Sequence, residues 1–250
     1  MRGYDHRSYG EAFADVYDDW YADVTDVAAT VARMSALAGD GGRVLELGVG
    51  TGRLAVPMAR AGMLVTGIDS SRSMLGRLAA ADPTGLVTAV CGDMVTDLPG
   101  GPFDAALVAY NTIFNLLDEA TQRRCFVEVA ARLRPGGAFV VEAFVPGDAD
   151  GTSIGSDVRV RSIAVDHVVL SVSAERGQQR ADGQFIELSE SGGVRLRPWS
   201  IRWATPTQLD AMAADAGFTM EGRFADMAER AFDDDSTQHV TVYRRPGGPT

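Results

Sequence analysis

The sequence predicts an α/β protein with a doubly wound, mostly parallel sheet of seven strands, a helical lid at the N-terminus and an inserted antiparallel β segment. Three observations support this fold class. Short apolar runs alternate with amphipathic segments between residues 41 and 145. A glycine-rich turn follows the first of these runs, at the sheet edge where open α/β folds bind ligands. After residue 146, strands of alternating polarity are separated by turn residues.

The N-terminal segment, residues 1–40, is predicted to form two amphipathic helices. Apolar residues recur there at helical spacing, first at Tyr9, Phe13, Val16, Tyr17 and Trp20, and then, after Thr25, at Val27, Val31 and Met34. These helices precede the sheet, so we expect them to act as a lid over its edge.

The core, residues 41–145, is predicted to alternate strands and helices. The strands fall in the runs RVLELG, MLVTGID, LVTAVCGD, FDAALVAY and AFVVEAF. Helices are predicted from about Thr51 to Ala61, Ser71 to Ala80 and Asp118 to Leu133, the last ended by the Pro-Gly-Gly that follows. The short link between Asp93 and Phe103 favours a loop in place of a crossover helix.

The last hundred residues are predicted to complete a single domain, residues 1–250. The insertion, residues 146–203, contains the alternating runs VRVRSIAV, HVVLSVSAE, GQFIELSE and VRLRPWSIRW. In residues 204–250, Thr205 to Gln208 form a capping-box pattern that opens a helix closing at Gly217. The runs FTMEGRF and HVTVYRR then supply the two final strands.

Composition excludes several function classes. The 250 residues carry a formal net charge of -11, which disfavours a groove that tracks a phosphate backbone, so we expect no nucleic-acid partner. All 23 basic residues are arginine, and the absence of lysine removes Schiff-base chemistry and a Walker-type phosphate lysine. Cys91 and Cys125 lie in apolar runs without a CxxC pattern, which is typical of reduced core residues.

The hydropathy pattern indicates a cytoplasmic protein. The opening segment MRGYDHRSYGEAF lacks the apolar centre of a signal peptide, and no run approaches the roughly 18 apolar residues of a membrane span. We therefore expect no membrane partner, and a monomer or a homodimer.

The strongest chemical signal is the segment VLELGVGTGRL, which ends a buried strand and opens a helix. Gly48, Gly50 and Gly52 remove side chains where a ligand must approach the backbone. A dinucleotide fingerprint would place its third glycine one position later, where Arg53 stands. The glycines are therefore out of register for a nicotinamide dinucleotide.

Acidic residues follow consecutive strands and predict what the loop binds. Asp69 ends the second strand, where a carboxylate can accept both hydroxyls of an adenosine ribose. Glu46 would repel a pyrophosphate but suits a ligand that carries an ammonium and a sulfonium. Asp93 closes the third strand and can accept from an adenine amino group, with adenine lying between Met94 and Met74. This charge pattern favours S-adenosylmethionine.

These motifs resemble those of the class I S-adenosylmethionine-dependent methyltransferases, over nearly the whole chain. ELGVGTG is similar to their first motif, GIDSS to their acidic second-strand turn, GDM to their adenine turn and LRPGGAFVVEAF to their fifth-strand signature. The resemblance implies a Rossmann-like fold. The strands inserted after the fifth strand are similar to those that cover the substrate in small-molecule N- and O-methyltransferases, including enzymes of amino sugars.

The resemblance implies a set of cofactor-binding residues. Glu46 and the three glycines would lie along the methionine part, Asp69 and Ser70 at the ribose, and Met74, Asp93 and Met94 at adenine. The backbone of Ala109 and Tyr110 would meet the amino-acid end. A tyrosine on an N-terminal helix often closes over the cofactor in relatives, which makes Tyr17 the candidate here, followed by Tyr9.

Acceptor and catalytic residues are predicted less directly. Methyl transfer from a sulfonium depends on positioning, and only a hydroxyl acceptor needs a general base. His6 and His167 are the candidate bases, each with a structural alternative, while a structural role is favoured for His239. The candidate acceptor contacts are Tyr9, Asn111, Asn115, Trp199 and Arg202, for which loop capping or strand packing is the alternative.

The sequence therefore predicts a methyltransferase for a small-molecule hydroxyl or amine acceptor, with secondary metabolism as the context. AYNT stands where base-methylating enzymes have an Asn/Asp-Pro-Pro-aromatic motif, and no carboxylate cluster for a metal is evident. Two alternatives stay open. One is a protein of the same fold that binds the cofactor without transferring methyl, as a scaffold or in a cyclisation. The other is a nicotinamide-dependent reductase.

Overall fold

The computed structural model describes residues 1–22, 24–147 and 154–247. In chain order the helices are α1 (Ser8–Phe13), α2 (Tyr17–Trp20), α3 (Val27–Ala38), α4 (Ala55–Arg60), α5 (Arg72–Ala81), α6 (Glu119–Arg132) and α7 (Pro206–Asp215), with a 3₁₀ helix at Thr112–Asn115. The strands are β1 (Arg43–Leu47), β2 (Leu64–Asp69), β3 (Thr88–Cys91), β4 (Phe103–Val108), β5 (Leu133–Phe144), β6 (Ile154–Ile163), β7 (His167–Gly177), β8 (Arg180–Ser189), β9 (Gly193–Arg202), β10 (Thr219–Phe224) and β11 (Gln238–Arg244).

Seven strands form the central sheet in the order β10-β11-β5-β4-β1-β2-β3. Strands β1 to β5 are parallel, and β11 runs antiparallel to both β5 and β10. This confirms the predicted mostly parallel, doubly wound sheet. Because the carboxyl ends of β1, β2, β3 and β4 meet at one edge, the loops that follow them converge there.

Helices cover both faces of the sheet and enclose its two apolar layers. On one face Phe126 of α6 packs against Phe139 of β5, with ring centroids 5.3 Å apart. On the other face Met34 of α3 and Met58 of α4 are buried beside Val44 of β1. Burial on both sides explains why β1 and β4 are near-continuous apolar runs.

The run from Tyr9 to Trp20, predicted as one helix, is divided into α1 and α2. The carbonyl of Ala12, which would accept from Val16 in a continuous helix, instead accepts from the Arg197 guanidinium. The Val16 amide turns to the Phe13 carbonyl at 3.0 Å. An arginine from β9 therefore ends α1, which the helical periodicity could not indicate.

Two predicted helix boundaries also differ. Helix α4 begins at Ala55 and not at Thr51, because Gly52 has a φ of +85°, outside the helical region. Helix α6 ends at Arg132, and Leu133 is already extended, so the Pro-Gly-Gly segment lies at the start of β5 instead of ending the helix.

The insertion forms a separate antiparallel sheet in the order β6-β7-β8-β9. One face of this sheet packs against α1, where Phe185 of β8 lies 5.7 Å from Phe13 between ring centroids. After β9, the predicted capping box opens α7, with the Thr205 and Gln208 side chains each bonded to the other's backbone amide. Within the described residues, no helix is both long and apolar enough to cross a membrane.

Candidate functional site

The loop after β1 brings bare backbone to the sheet edge. Gly48 and Gly50 have φ values of +67° and +57°, which glycine adopts without strain. A Cβ on Gly48 would lie 2.4 Å from the Thr112 side chain, whereas a Cβ on Gly50 would meet nothing closer than a carbonyl at 4.0 Å. Gly48 therefore allows close packing, and Gly50 keeps open the space in front of the loop.

Asp69, at the end of β2, holds this loop and faces the same space. Its Oδ2 accepts from the Gly50 amide at 2.9 Å and its Oδ1 from the Ser71 amide at 2.8 Å. Burial raises the pKa of the Asp69 carboxyl, and the two amide donors oppose that shift. Each carboxylate oxygen keeps a further lone pair, so Asp69 can accept two ribose hydroxyls without losing its backbone contacts.

The turn after β3 forms the next part of the site. Asp93 Oδ1 caps the turn, accepting from the amides of Val95 at 2.8 Å and Thr96 at 3.0 Å. Within the described residues no hydrogen bond reaches Asp93 Oδ2, which is available to an amino group. The buried Met74 of α5 and Met94 line the same cavity, as expected for an adenine slot.

A cavity of about 240 Å³ joins these elements to the N-terminal segment. The sequence-predicted residues that line it are His6, Tyr9, Tyr17, Gly48, Gly50, Asp69, Ser70, Met74, Asp93, Met94 and Asn115. Lining residues that sequence reasoning missed are Tyr4, Asp5, Gly10, Ile68, Thr112, Leu116, Leu117 and Thr121. The structure therefore brings most of the predicted ribose, adenine and lid residues into one cavity.

Two ionisable side chains, Glu46 and Arg53, lie behind the glycine loop and do not themselves line the cavity. Glu46 is 3% exposed and its Oε2 has no partner within the described residues. Burial raises the pKa of Glu46 to about 8, while the nearby Arg53 lowers it. The Nε and Nη1 atoms of Arg53 are also buried without a partner among the described residues.

A carboxyl group and a guanidinium in one place fit the two ends of a zwitterionic ligand. A buried donor or acceptor without a partner costs about 1–3 kcal/mol, and such an arrangement persists where a ligand completes it. Glu46 can accept from an ammonium and Arg53 can bind a carboxylate, which are the two ends of an amino-acid group. Together with Asp69, these residues fit S-adenosylmethionine.

Tyr9 and Tyr17 line the lid side of the cavity, and Tyr21 and Tyr110 pack behind them without lining it. Tyr17 lies 4.8 Å from Tyr21, and Tyr21 lies 5.7 Å from Tyr110, between ring centroids. Burial raises the pKa of Tyr17 to about 12, opposed by Arg53, and raises that of Tyr9 well above its usual value. These hydroxyls therefore stay protonated and can donate or accept a hydrogen bond, but they do not act as phenolates.

The lid that carries Tyr9 and Tyr17 is docked through specific polar contacts. Asp18 accepts from the Thr51 hydroxyl of the glycine loop at 2.6 Å, and Glu11 accepts from the Ser71 hydroxyl at 3.0 Å. The almost fully buried Arg197 binds both Asp15 oxygens, at 2.6 and 3.1 Å. The lid thus contacts both the parallel core and the inserted sheet.

Tyr110, predicted at the amino-acid end of the cofactor, and Asn111, predicted as an acceptor contact, both brace the strand edge. Tyr110 and Asn111 have positive φ values of 42° and 65°. The Tyr110 amide donates to Glu142 Oε2 at 2.9 Å, and Asn111 Oδ1 accepts from the Phe144 amide at 2.7 Å. Like the buried Ala109 before them, they do not line the cavity, so Asn111 connects β4 to β5 instead of facing an acceptor.

Trp199 and Arg202, predicted as acceptor contacts, also lie outside the cavity. Trp199 packs over Gly183, where an added Cβ would lie 2.2 Å from the indole. Arg202 is 6% exposed and donates to Gln122, to Glu119 at 2.9 Å and to Gln179 at 3.3 Å. Both residues therefore have the alternative role of strand packing. In a strand of alternating polarity, one of the two sets of side chains faces the interior of the domain.

Three other residues that the sequence analysis considered lie outside the cavity. Gly52 lies under α5, where a Cβ would come within 3.0 Å of Leu78, so it serves packing and not ligand contact. His167 is the first residue of β7, with its Nδ1 3.0 Å from the Asp166 carboxylate and away from the cavity. His239 is buried against Thr241 at 2.9 Å, and burial lowers its pKa to about 4, which agrees with a structural role.

The fold and the site define a class of protein. Strand ends that present open backbone and a buried carboxylate to one cavity are typical of the cofactor pocket of a class I methyltransferase. No group of three or more potential metal ligands occurs among the described residues.

Comparisons with known proteins agree with this class. The family model of the methyltransferase domain matches residues 44–137. The structure of the CcbJ methyltransferase from Streptomyces caelestis is 39% identical, with a TM-score of 0.87 over 98% of this chain and 100% of that one. The cypemycin N-terminal methyltransferase from Streptomyces sp is 27% identical over 243 residues, covering 95% of this chain and 97% of that protein.

The chain therefore belongs to the class I S-adenosylmethionine-dependent methyltransferases, and S-adenosylmethionine is its cofactor. CalS10, an S-adenosylmethionine-bound amino pentose methyltransferase from Micromonospora echinaspora, shares the fold, with a TM-score of 0.67 at 23% identity over 98% of this chain and 99% of that one. The misregistered glycines had already disfavoured a nicotinamide dinucleotide.

Proposed function

We propose that this methyltransferase acts on an amine nitrogen of a small natural-product molecule, so that it is an N-methyltransferase. The observation that carries the proposal is the chemistry of the cavity wall beside Gly48 and Gly50. Tyr9 and Tyr17 line that wall, and both keep their protons because burial raises the pKa of each. An amine needs only to arrive neutral, whereas a hydroxyl needs a base to remove its proton.

The carboxylates of the cavity are poor general bases. Asp69 and Asp93 face the ribose and adenine positions. The guanidinium of Arg7 lowers the pKa of Asp5 to about 2, so this carboxylate has little affinity for a proton near neutral pH. His6 is the histidine that lines the cavity, and it is exposed at the rim. Its backbone carbonyl accepts a hydrogen bond from the Ser70 hydroxyl at 2.8 Å.

The cofactor, when bound, supplies an electrophilic methyl group on a sulfonium. The residues of the chain hold the reacting partners in place, which is the main source of rate in such a displacement. Asp69 and the Glu46–Arg53 pair fix the two ends of the cofactor. The phenols of Tyr9 and Tyr17 accept from the N–H of a neutral amine and orient its lone pair, and the docked lid excludes water.

Two relatives support an amine acceptor by their names alone. The cypemycin enzyme, similar over 95% of this chain, methylates an N-terminus by its name. KedS8, named as a sugar N-methyltransferase, shares the fold at 22% identity. A peptide amine and an amino sugar are therefore the acceptor classes to test first.

The test is a transfer assay with methyl-labelled S-adenosylmethionine and matched acceptor pairs. Each pair holds an amine and its oxygen or blocked counterpart: an amino sugar with its hydroxy analogue, and a peptide with a free or an acetylated N-terminus. We expect label only in the amine members, located on nitrogen by mass spectrometry. With such an acceptor, kcat/KM should rise with pH until the amine is deprotonated.

His6→Gln serves as the companion variant. Because an amine needs no imidazole base, the variant should keep most of its activity and the same pH profile. Label in the hydroxyl members, with activity lost in His6→Gln, would identify an oxygen acceptor and overturn the proposal. Binding of S-adenosylhomocysteine without transfer to any acceptor would favour the non-methylating alternative.

A further inference from the structure

A third part of the cavity wall, besides the strand ends and the lid, is formed by the chain between β4 and α6. We call residues 112–117 the β4–α6 segment. It begins with the 3₁₀ helix Thr112–Asn115, and it contributes Asn115 and Leu117 to the cavity lining. Ile113 and Phe114, between them in sequence or space, are fully buried and anchor the segment in the core. The segment therefore has a cavity side and a core side.

Asn115 is the residue of this segment that can recognise a methyl acceptor. It is half-buried and lines the cavity, and its side-chain amide makes no hydrogen bond within the described residues. Such an amide offers two donors and an accepting oxygen. Because no protein partner holds the side chain, the place where it enters the cavity depends on the backbone of the β4–α6 segment.

One buried side chain holds that backbone on both sides of Asn115. Gln122 of α6 is 0% exposed, and its Nε2 donates to the Leu116 carbonyl at 3.1 Å. The same nitrogen lies 3.4 Å from the Ile113 carbonyl oxygen. Carbonyls at the end of a helical turn have no partner within the turn, so they need one from elsewhere when they are buried. Gln122 supplies it.

Gln122 is fixed in turn by the last strand of the inserted sheet. Its Nε2 donates to the Arg202 carbonyl at 2.7 Å, and its Oε1 accepts from the Arg202 guanidinium. Carbonyls only accept and guanidinium groups only donate, so these partners decide which end of the amide is which. Arg202 is held by Glu119 at 2.9 Å and by Gln179 at 3.3 Å. A buried polar network thus leads from β9 to the segment that carries Asn115.

The polar atoms of Gln122 serve this network and not a ligand. Gln122 does not line the cavity. Methionine has a similar volume and could fill the same space without an amide, so packing alone does not require a glutamine here. Without the amide, the carbonyls beside Asn115 would lose their partner and the segment would shift. Displacement of a positioning group by about 1 Å is enough to reduce catalytic efficiency.

We infer that Gln122 is a positioning residue for the methyl acceptor, because it holds the β4–α6 segment so that the Asn115 amide orients the acceptor in the cavity. Gln122 acts through Asn115 and touches neither substrate nor cofactor. The inference rests on the proposed function only in that a small acceptor enters this cavity. It applies equally to a nitrogen and to an oxygen acceptor.

The experiment is a double-mutant cycle in the transfer assay, with the panel compound that wild-type protein methylates best. Gln122→Met should raise the KM of this compound about tenfold and change kcat by less than about threefold. Its affinity for S-adenosylhomocysteine should stay within about twofold of wild type, because the ribose and adenine contacts remain. Asn115→Ala should also raise KM about tenfold.

The double variant Asn115→Ala/Gln122→Met separates a positioning role from a merely structural one. If Gln122 acts through Asn115, the KM of the double variant lies within about twofold of that of Asn115→Ala. Independent effects would instead multiply to about a hundredfold.

Thr241→Val is the matched control. Thr241 is also 0% exposed, and its hydroxyl oxygen lies 3.0 Å from Arg223 Nε and 2.9 Å from His239 Nδ1, but it does not line the cavity. This variant should unfold at a lower temperature and keep the wild-type KM. Should Gln122→Met not fold, Gln122→Glu keeps an oxygen for the Arg202 guanidinium but loses the donors to the carbonyls, and it should raise KM to a similar extent.

Three results would overturn the inference: multiplicative effects in the double variant, an unchanged KM in a folded Gln122 variant or in Asn115→Ala, or a loss of cofactor affinity as large as the rise in KM. A methyl group found on oxygen would overturn the proposed amine acceptor, whereas the outcome expected of the cycle would stay the same.

Discussion

The cofactor side of the cavity and its lid are built in different ways. On the cofactor side, Gly50 and Asp69 stand at the ends of neighbouring parallel strands, and a 2.9 Å hydrogen bond to backbone connects them. The lid is held by side chains from remote segments, as where Arg197 binds Asp15 across 182 positions of sequence. The first region depends on strand order and the second on particular side-chain pairs.

This difference teaches where substitutions should act. Changes at the strand ends alter the shape or charge around the cofactor, so they should weaken cofactor binding whatever the acceptor. Changes in the lid contacts leave the adenosine pocket in place and displace Tyr9 and Tyr17. Because the proposed function has these phenols orient the acceptor, such changes should act mainly on the acceptor. The following substitutions test that separation.

The largest expected effect is that of Gly50→Val. The added side chain would stand in the open space before the loop, and a β-branched residue is strained at this positive φ. Affinity for S-adenosylhomocysteine should fall by about 100-fold or more, which is about 2.7 kcal/mol. Gly85→Val is the control, since Gly85 has a φ of +68° and no atom within 4 Å but lies outside the cavity. Equal loss of affinity in both variants would mean that backbone strain alone explains the result.

Asp69→Ala should have the next largest effect. Loss of a buried acceptor leaves the ribose hydroxyls and two amides without a partner, at a cost of about 1–3 kcal/mol or about 5- to 150-fold in affinity. Asp82→Ala is matched, because Asp82 also accepts a backbone amide, from Val87 at 2.8 Å, but does not line the cavity. Isothermal calorimetry with S-adenosylhomocysteine measures both. Unchanged affinity in Asp69→Ala would contradict the ribose assignment.

Arg197→Met should distinguish the contribution of the lid from that of the cofactor pocket. The variant loses the contacts to Asp15, Glu187 and the Ala12 carbonyl, so the lid tyrosines shift. We expect KM for the acceptor to rise about tenfold, because small displacements of positioning groups are costly, with cofactor affinity changed by less than about threefold. Arg195→Met removes a half-exposed partner of Asp15 and should change little. If cofactor affinity in Arg197→Met falls by the same factor as the acceptor KM rises, the lid and the cofactor pocket do not act independently.

The smallest effect is a proton release at Glu46. Its pKa of about 8 in the folded chain lies above the usual 4.5, so between these values the buried carboxyl holds a proton that the unfolded chain has lost. Stability therefore decreases as pH rises from about 4.5 to 8. A ligand ammonium favours the carboxylate, so binding near pH 7 should release up to one proton. Calorimetry in buffers of different ionisation enthalpy measures it, and release that persists in Glu46→Gln would exclude Glu46 as its source.

The parallel core was predictable because its signals are local. The apolar run before Gly48 predicted a buried strand, and Asp69 and Asp93 follow strands whose order places them together. The pattern of alternating runs also predicted the antiparallel strands of the insertion. In each case the residues that form the signal are close in sequence, and the general rules of α/β folds supply the rest.

The lid and the acceptor side were not predictable in the same way. Arg53 was noticed only as a break in the glycine register, although an arginine after the loop is itself a signal for an anionic ligand group. Arg202 and Trp199 were assigned to the acceptor because an alternating strand does not reveal which face is covered. The division between α1 and α2 depends on the contact of Arg197 with the Ala12 carbonyl. These residues are far apart in sequence, so no local pattern predicts the contact.

The most direct test of the cofactor site compares two ligands that differ only at the amino-acid end. S-adenosylhomocysteine has an ammonium and a carboxylate, and methylthioadenosine lacks both. By calorimetry, Arg53→Met should weaken S-adenosylhomocysteine by about 10- to 150-fold, the range for a hydrogen bond to a charged group, and leave methylthioadenosine within about twofold. Arg60→Met, on the exposed end of α4, should change neither. Equal weakening of both ligands by Arg53→Met, or of neither, would contradict the zwitterion site.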